Sequence, residues 1–191
     1  MSASFRDSTF GISAHAPAHA AGKDHLEEEV VGLFEQFRDR LLRYLMALGL
    51  SAHDGEEVVQ EVFLALFQHL RLGKPRHNLR GWIFRVAHNL GLKERTRVQQ
   101  ESRQTTEIDP AEAGFHTDAS PGPEEQMLHG ERVQRLRAVV GALPEQDQWC
   151  LYLRGEGLRY REIAEALDIS LGAVSLSLGR SLARLARVDG R

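Results

Sequence analysis

The chain has 191 residues, 42% of them hydrophobic and 27% charged, with a formal net charge of -3, enough apolar material for one ordinary domain or two small ones. Its longest uninterrupted apolar run, Val62 to Phe67, is far shorter than the roughly 20 residues a bilayer-spanning helix needs, and residues 1–23 lack the basic start and apolar centre of a secretion signal. A cytoplasmic protein with a disordered tail over 1–23 and no membrane insertion is expected; Cys150 is the only cysteine, which excludes an intrachain disulfide or a multi-thiolate zinc site, and neither a metal nor a cofactor is expected.

Strand-like alternation is nearly absent, and apolar residues recur every three to four positions in both halves. The pattern predicts an all-α protein of two small helical domains, 24–103 and 126–188, joined by a flexible acidic linker over 104–125. A first helix places Val30, Leu33, Phe34, Phe37, Leu41, Tyr44, Leu45 and Leu48 on one face and stops at Gly49. A second starts near Ser51, whose spacing to Asp54 is that of an N-terminal cap, and turns Val58, Val59, Val62, Phe63, Leu66, Phe67 and Leu70 inward. Its outer strip, Glu57, Gln60, Glu61 and Leu64, is acidic and amide-bearing with one exposed apolar residue, a composition that suits a protein partner or a plain solvated face.

Charge changes sign after this helix: residues 24–61 hold 3 Lys and Arg against 10 Asp and Glu, residues 71–103 hold 9 against 2, and residues 104–131 hold 0 against 7. A basic block between two acidic ones points to one surface for a polyanion and others for different partners. The block opens with the loop Leu72–His77. A third helix follows, capped by Asn78, running to about Arg97 with an apolar side of Leu79, Ile83, Val86, Ala87 and Leu90. Arg85, His88, Asn89, Arg95 and Thr96 then share an outward band about 120° wide that can grip a nucleic-acid backbone. Trp82 and Lys93 fall at its border.

Helical spacing is lost from Gln104 to Glu125, where Pro110, Gly114, Pro121, Gly122 and Pro123 interrupt an acidic stretch. It resumes with Met127, Val133, Leu136, Val139, Val140 and Leu143, and Pro144 opens a further helix containing Trp149, Leu151 and Leu153. From Leu158 to Ser175 the order of core, turn and cap is that of a helix-turn-helix. Ile163, Leu167, Ile169 and Val174 form its small core, Asp168 takes the turn, Ser170 caps the second helix, and Arg180 and Arg184 are placed for phosphates.

These three features, in this order, resemble the extracytoplasmic-function group of RNA polymerase sigma factors over residues 28–188. Asp54–Leu64 is similar to the family's segment for core polymerase, Asn78–Leu90 to the segment that melts and reads the minus-ten promoter element, and Leu143-Pro144-Glu145 with the helix-turn-helix to the domain for the minus-thirty-five element. The resemblance implies polymerase contacts at Glu57, Gln60, Glu61 and Leu64. It implies minus-ten contacts at Arg80, Trp82, Arg85, His88, Asn89 and Lys93, with a flipped base pocketed by the loop Leu72–His77. Minus-thirty-five contacts are implied at Ser170, Ala173, Ser175, Ser177, Arg180 and Arg184. Partners would be core RNA polymerase and promoter DNA, with an anti-sigma factor admitted as a third, and the polymerase would supply all catalysis. The chain departs from the family pattern at Ser175 and Ser177, where Lys or Arg is common, and at Asp168, where Gly is common. The rival reading is a helix-turn-helix regulator that does not recruit polymerase. A hydrolase built on a carboxylate and His88 has neither nucleophile nor metal set behind it.

Overall fold

The computed structural model describes the backbone of residues 18–104 and 123–189. Residues 1–17 of the tail expected over 1–23, the connector residues 105–122 and residues 190–191 lie outside the described residues. Within them are seven helices and no strand: α1 (Ala18–Ala47), α2 (Ala52–Arg71), α3 (Leu79–Gln104), α4 (Pro123–Gly141), α5 (Glu145–Gly155), α6 (Tyr160–Leu167) and α7 (Leu171–Asp189).

Local chemistry explains most of the boundaries. α1 ends where Gly49 takes φ +94°, letting the Leu50 amide reach back to the Leu45 carbonyl at 3.2 Å. Ser51 Oγ accepts the Asp54 amide at 3.1 Å and starts α2. Asn78, itself at φ 57°, accepts the Gly81 amide on Oδ1 at 3.2 Å and so opens α3. Three ends differ from expectation. α1 begins at Ala18, so residues 18–23 are helical rather than tail. α3 continues to Gln104 instead of stopping near Arg97, because Arg97 bonds Glu94 one turn back and Glu101 one turn ahead, the latter at 2.7 Å. α4 starts at Pro123, inside the predicted linker, where a proline in the first turn loses no helical hydrogen bond.

The N-terminal module packs α1 against α2 and α3 around Leu41, Tyr44, Leu45, Val62, Leu66 and Ile83. Phe84, absent from the predicted core, is fully buried between Phe37 and Tyr44, with ring centroids at 6.3 and 5.8 Å and edge-to-face geometry. In the C-terminal module α5, α6 and α7 enclose Cys150, Leu153, Leu158, Ile163, Val174 and Leu178. The two modules are not separate beads, for α3 lies against α6 and their buried residues form one continuous apolar cluster.

Candidate nucleic-acid interface

The orientation of α3 decides which of its polar groups meet solvent. Phe84, Ala87 and Gly91 are buried along with Ile83, while Leu79, Val86 and Leu90 are only half-buried. The buried stripe is therefore rotated by about a quarter turn from the one predicted, since successive helical residues advance about 100°. The rotation leaves Arg85, Asn89, Lys93 and Thr96 exposed together on the outer face. Neither Arg85 nor Lys93 enters an ion pair among the described residues. Trp82 is half-buried, its ring 4.7 Å from that of His69.

The same rotation takes His88 out of the band. It is 3% exposed, with Nδ1 2.8 Å from Tyr44 Oη and its ring 5.1 Å from Trp149. Burial lowers its pKa to about 4, keeping the imidazole neutral. Burial, with Cys150 adding to it, likewise raises that of the Tyr44 hydroxyl.

The outer strip of α2 is intact: Glu57, Gln60 and Glu61 are exposed, and Leu64 is 60% exposed. The loop Leu72–His77 is exposed throughout. Arg76 there is held by Glu29 at 3.2 Å, and the Pro75 carbonyl lies 3.1 Å from His69 Nε2.

In the C-terminal module α6 and α7 form the helix-turn-helix. Asp168 makes the turn in the left-handed region, φ 53° and ψ 46°, which aspartate tolerates better than most residues. Ser170 Oγ accepts the Ala173 amide at 3.1 Å, and the Arg159 amide donates to Glu162 at 2.7 Å to open α6. Ser170, Ser175 and Arg184 are exposed and Ala173 is half-buried. Ser177 is not available to DNA: it is fully buried and accepts from Gln146 Nε2 at 3.3 Å. Arg180, still exposed, reaches back to Asp147 through two hydrogen bonds of 2.9 and 3.3 Å. Burial opposes charge on Asp147, but hydrogen bonds from Arg180 and Ser177 prevail and hold its carboxyl below the usual range.

The two modules match known protein families separately. Residues 33–101 match the model for sigma-70 region 2, and residues 133–185 match that for sigma-70 region 4. Among curated relatives, the SigE sigma factor of Mycolicibacterium smegmatis is 31% identical over 80% of this chain and 58% of its own length. The RpoE sigma factor of Cereibacter sphaeroides is 26% identical over 85% of this chain and 88% of its own. This chain belongs to the extracytoplasmic-function group of the sigma-70 family. Two solved sigma factors share its fold. Bartonella quintana RpoE, solved in complex with the anti-sigma factor NepR, gives a TM-score of 0.61 at 16% identity, covering 82% of this chain and 96% of that one. CnrH, solved with the cytosolic domain of CnrY, gives 0.55 at 20% identity, covering 85% and 88%.

Within this sigma factor the remaining candidates on α3 face the other module. Arg80, although exposed, lies with its guanidinium over Gly157, so that a Cβ there would come within 2.9 Å of Nη1. Arg95 pairs with Glu145 at 2.5 Å. Arg40 of α1 donates to the Glu156 carboxylate at 2.5 Å and to its carbonyl at 3.1 Å, beside the Tyr44 and Tyr152 rings 6.3 Å apart. These contacts were not foreseen. Partners separated by 50 to 116 residues leave no periodic trace, and the only local hint is the exposed acid Glu145 placed after Pro144. No helix among the described residues is long and apolar enough to cross a membrane.

Proposed function

We propose that this sigma factor binds core RNA polymerase through Glu57, Gln60, Glu61 and Leu64 of α2 and opens promoter DNA with the outer face of α3. The modules are taken as 24–103 and 126–188, with the intervening acidic stretch as connector. The opened minus-ten strand is assigned to Arg85, Asn89 and Lys93, with Arg80 and Trp82 at its edge and the loop Leu72–His77 as the place for an extruded base. The minus-thirty-five element is assigned to α6 and α7, with Ser170, Ala173, Ser175 and Arg184 nearest the duplex and Arg180 shared with Asp147. His88 and Ser177 are dropped from the DNA-contacting set because both are buried. An anti-sigma factor is included among the partners on the strength of the RpoE neighbour solved with one. The polymerase supplies the chemistry, and the chain lends it a choice of start site.

The observation that carries this reading is the presence of region 2 and region 4 modules in one chain, in that order. A helix-turn-helix regulator working without polymerase would leave the α2 strip and the α3 face without a task. Run-off transcription with purified core polymerase tests the proposal: addition of the chain must produce initiation at discrete sites, and silence on a genomic promoter library rejects it.

A further inference from the structure

The outward surface of α7 is uncharged over the N-terminal half of the helix. From Leu171 to Gly179 it carries no charged residue, yet Leu171 is 50% exposed and Leu176 is 66% exposed, followed further along by Leu182 at 53%. Gly172, Ser175 and Gly179 are exposed between them. At 3.6 residues per turn these side chains occupy one band about 140° wide, with Gly172, Ser175 and Gly179 along its middle and Leu171 and Leu176 at its margins. The opposite face, Val174, Ser177, Leu178 and Ser181, is fully occupied with the core.

Nothing among the described residues requires this band. A Cβ added to Gly179 would meet no atom within 4 Å, and one added to Gly172 would meet only Ser170 Oγ at 3.9 Å. Glycine in an exposed helix interior is destabilising relative to alanine, and exposed leucines gain nothing from burial. An external surface pressed close against the helix backbone explains both. The charge pattern identifies that surface. Arg184 and Arg187 further along α7 are exposed and lie beyond Leu176, outside the band, as does Arg180, which also bonds Asp147. An apolar band with a cationic edge fits a groove whose walls are phosphates and whose floor offers apolar groups. In the major groove the apolar group is the 5-methyl of thymine.

We propose that α7 reads the upstream promoter element through thymine methyl groups. Leu176 and Leu171 make the methyl contacts, Gly172 and Gly179 let the backbone approach, and the Ser175 hydroxyl bonds a base edge. The inference rests on the sigma-factor reading and names the base chemistry that its second DNA contact selects. It requires an element in which thymine positions matter more than guanine positions, because the band presents no arginine fork to guanine.

The test uses holoenzyme reconstituted from core polymerase and the full chain. The upstream element is first selected from duplexes randomised in that region, and deoxyuridine then replaces thymidine one position at a time, removing only the methyl group. At one or more positions the loss should weaken promoter binding about fourfold, the value of one buried methyl-sized group. Leu176→Ala, which improves helix propensity and leaves the core alone, should abolish the difference between thymidine and deoxyuridine at one of those positions. Leu176→Arg should shift selection there toward guanine. If wild-type holoenzyme initiates but no position senses the methyl, or if Leu176→Ala retains the full difference, the proposal is overturned while the sigma-factor reading stands. Self-association of the full chain that Leu176→Ala abolishes, seen by sedimentation, would overturn it in favour of a second copy as occupant. Absence of all initiation removes both.

Discussion

The outer faces of α3 and α7 are both assigned to DNA, yet they are made of opposite materials. α3 presents Arg85, Asn89 and Lys93, groups suited to backbone oxygens and splayed bases, whereas α7 presents Leu171, Ser175, Leu176 and glycines, which suit the floor of a closed duplex. The difference follows from what each segment would meet. A melted strand offers phosphates and unpaired edges in no fixed frame, so charge and hydrogen bonds hold it. A duplex offers a rigid groove, where shape and methyl groups discriminate. Each helix also hides a polar residue that the sequence reading placed outward, His88 on α3 by its spacing and Ser177 on α7 by the family resemblance, and these supply the sharpest controls.

The largest effect is expected at His88. Its folded pKa of about 4 lies below the ordinary 6.5, so between those values the unfolded chain binds a proton that the folded chain refuses. The stabilising contribution is complete above pH 6.5 and is lost as pH falls toward 4, by on the order of 3 kcal/mol. Denaturant titrations at pH 7 and pH 4.5 should show that loss in the wild type, and His88→Asn should reduce it. A pH dependence unchanged by the substitution would contradict the burial.

Next comes the solvated face itself. Arg85→Ala combined with Asn89→Ala should lower initiation roughly 100-fold, with no change in helix content by circular dichroism. A pre-melted template should not rescue the pair, because the contact proposed is to the opened strand. On α7 the two serines should separate. Ser177→Ala removes a buried partner of Asp147 and Gln146 and should cost about 2 kcal/mol of stability, whereas Ser175→Ala should leave the melting temperature unchanged and alter promoter binding. Equal behaviour of the two would erase the distinction between the faces of α7. The smallest effect is expected where the modules meet. Arg40 and Glu156 are partly exposed, and a double-mutant cycle with Arg40→Ala and Glu156→Ala should return a coupling of about 1 kcal/mol, weakening as salt is raised.

What could be read from the chain beforehand was whatever is settled within one or two helical turns. The Ser51 and Ser170 caps, the Asn78 start, the Gly49 stop and the left-handed Asp168 are local hydrogen-bond and backbone matters, and each is present in the structure. The rotation of α3 was not legible, since Leu79, Val86 and Leu90 look as apolar as Phe84 and Ala87. Which side is sealed is determined by surfaces distant in the chain: Phe37 and Tyr44 of α1 enclose Phe84, Leu45 and Leu48 close on Gly91, and Trp149 of the C-terminal module packs on His88. His88 is sealed in the same way, bonded to Tyr44 and packed against Trp149, neither of them a near neighbour in sequence. Exposed residues such as Glu57, Gln60, Glu61, Arg85 and Asn89 were easier, because a solvated face needs only the absence of apolar neighbours.

Gly157 has a positive φ of 83°, and its missing side chain leaves room for Arg80. One position therefore answers to two demands, backbone torsion from its own loop and clearance for a cation belonging to the other module. Homologues that replace glycine here should also have shortened or removed the arginine, so that a loop remote in sequence and the start of α3 change hands as a pair.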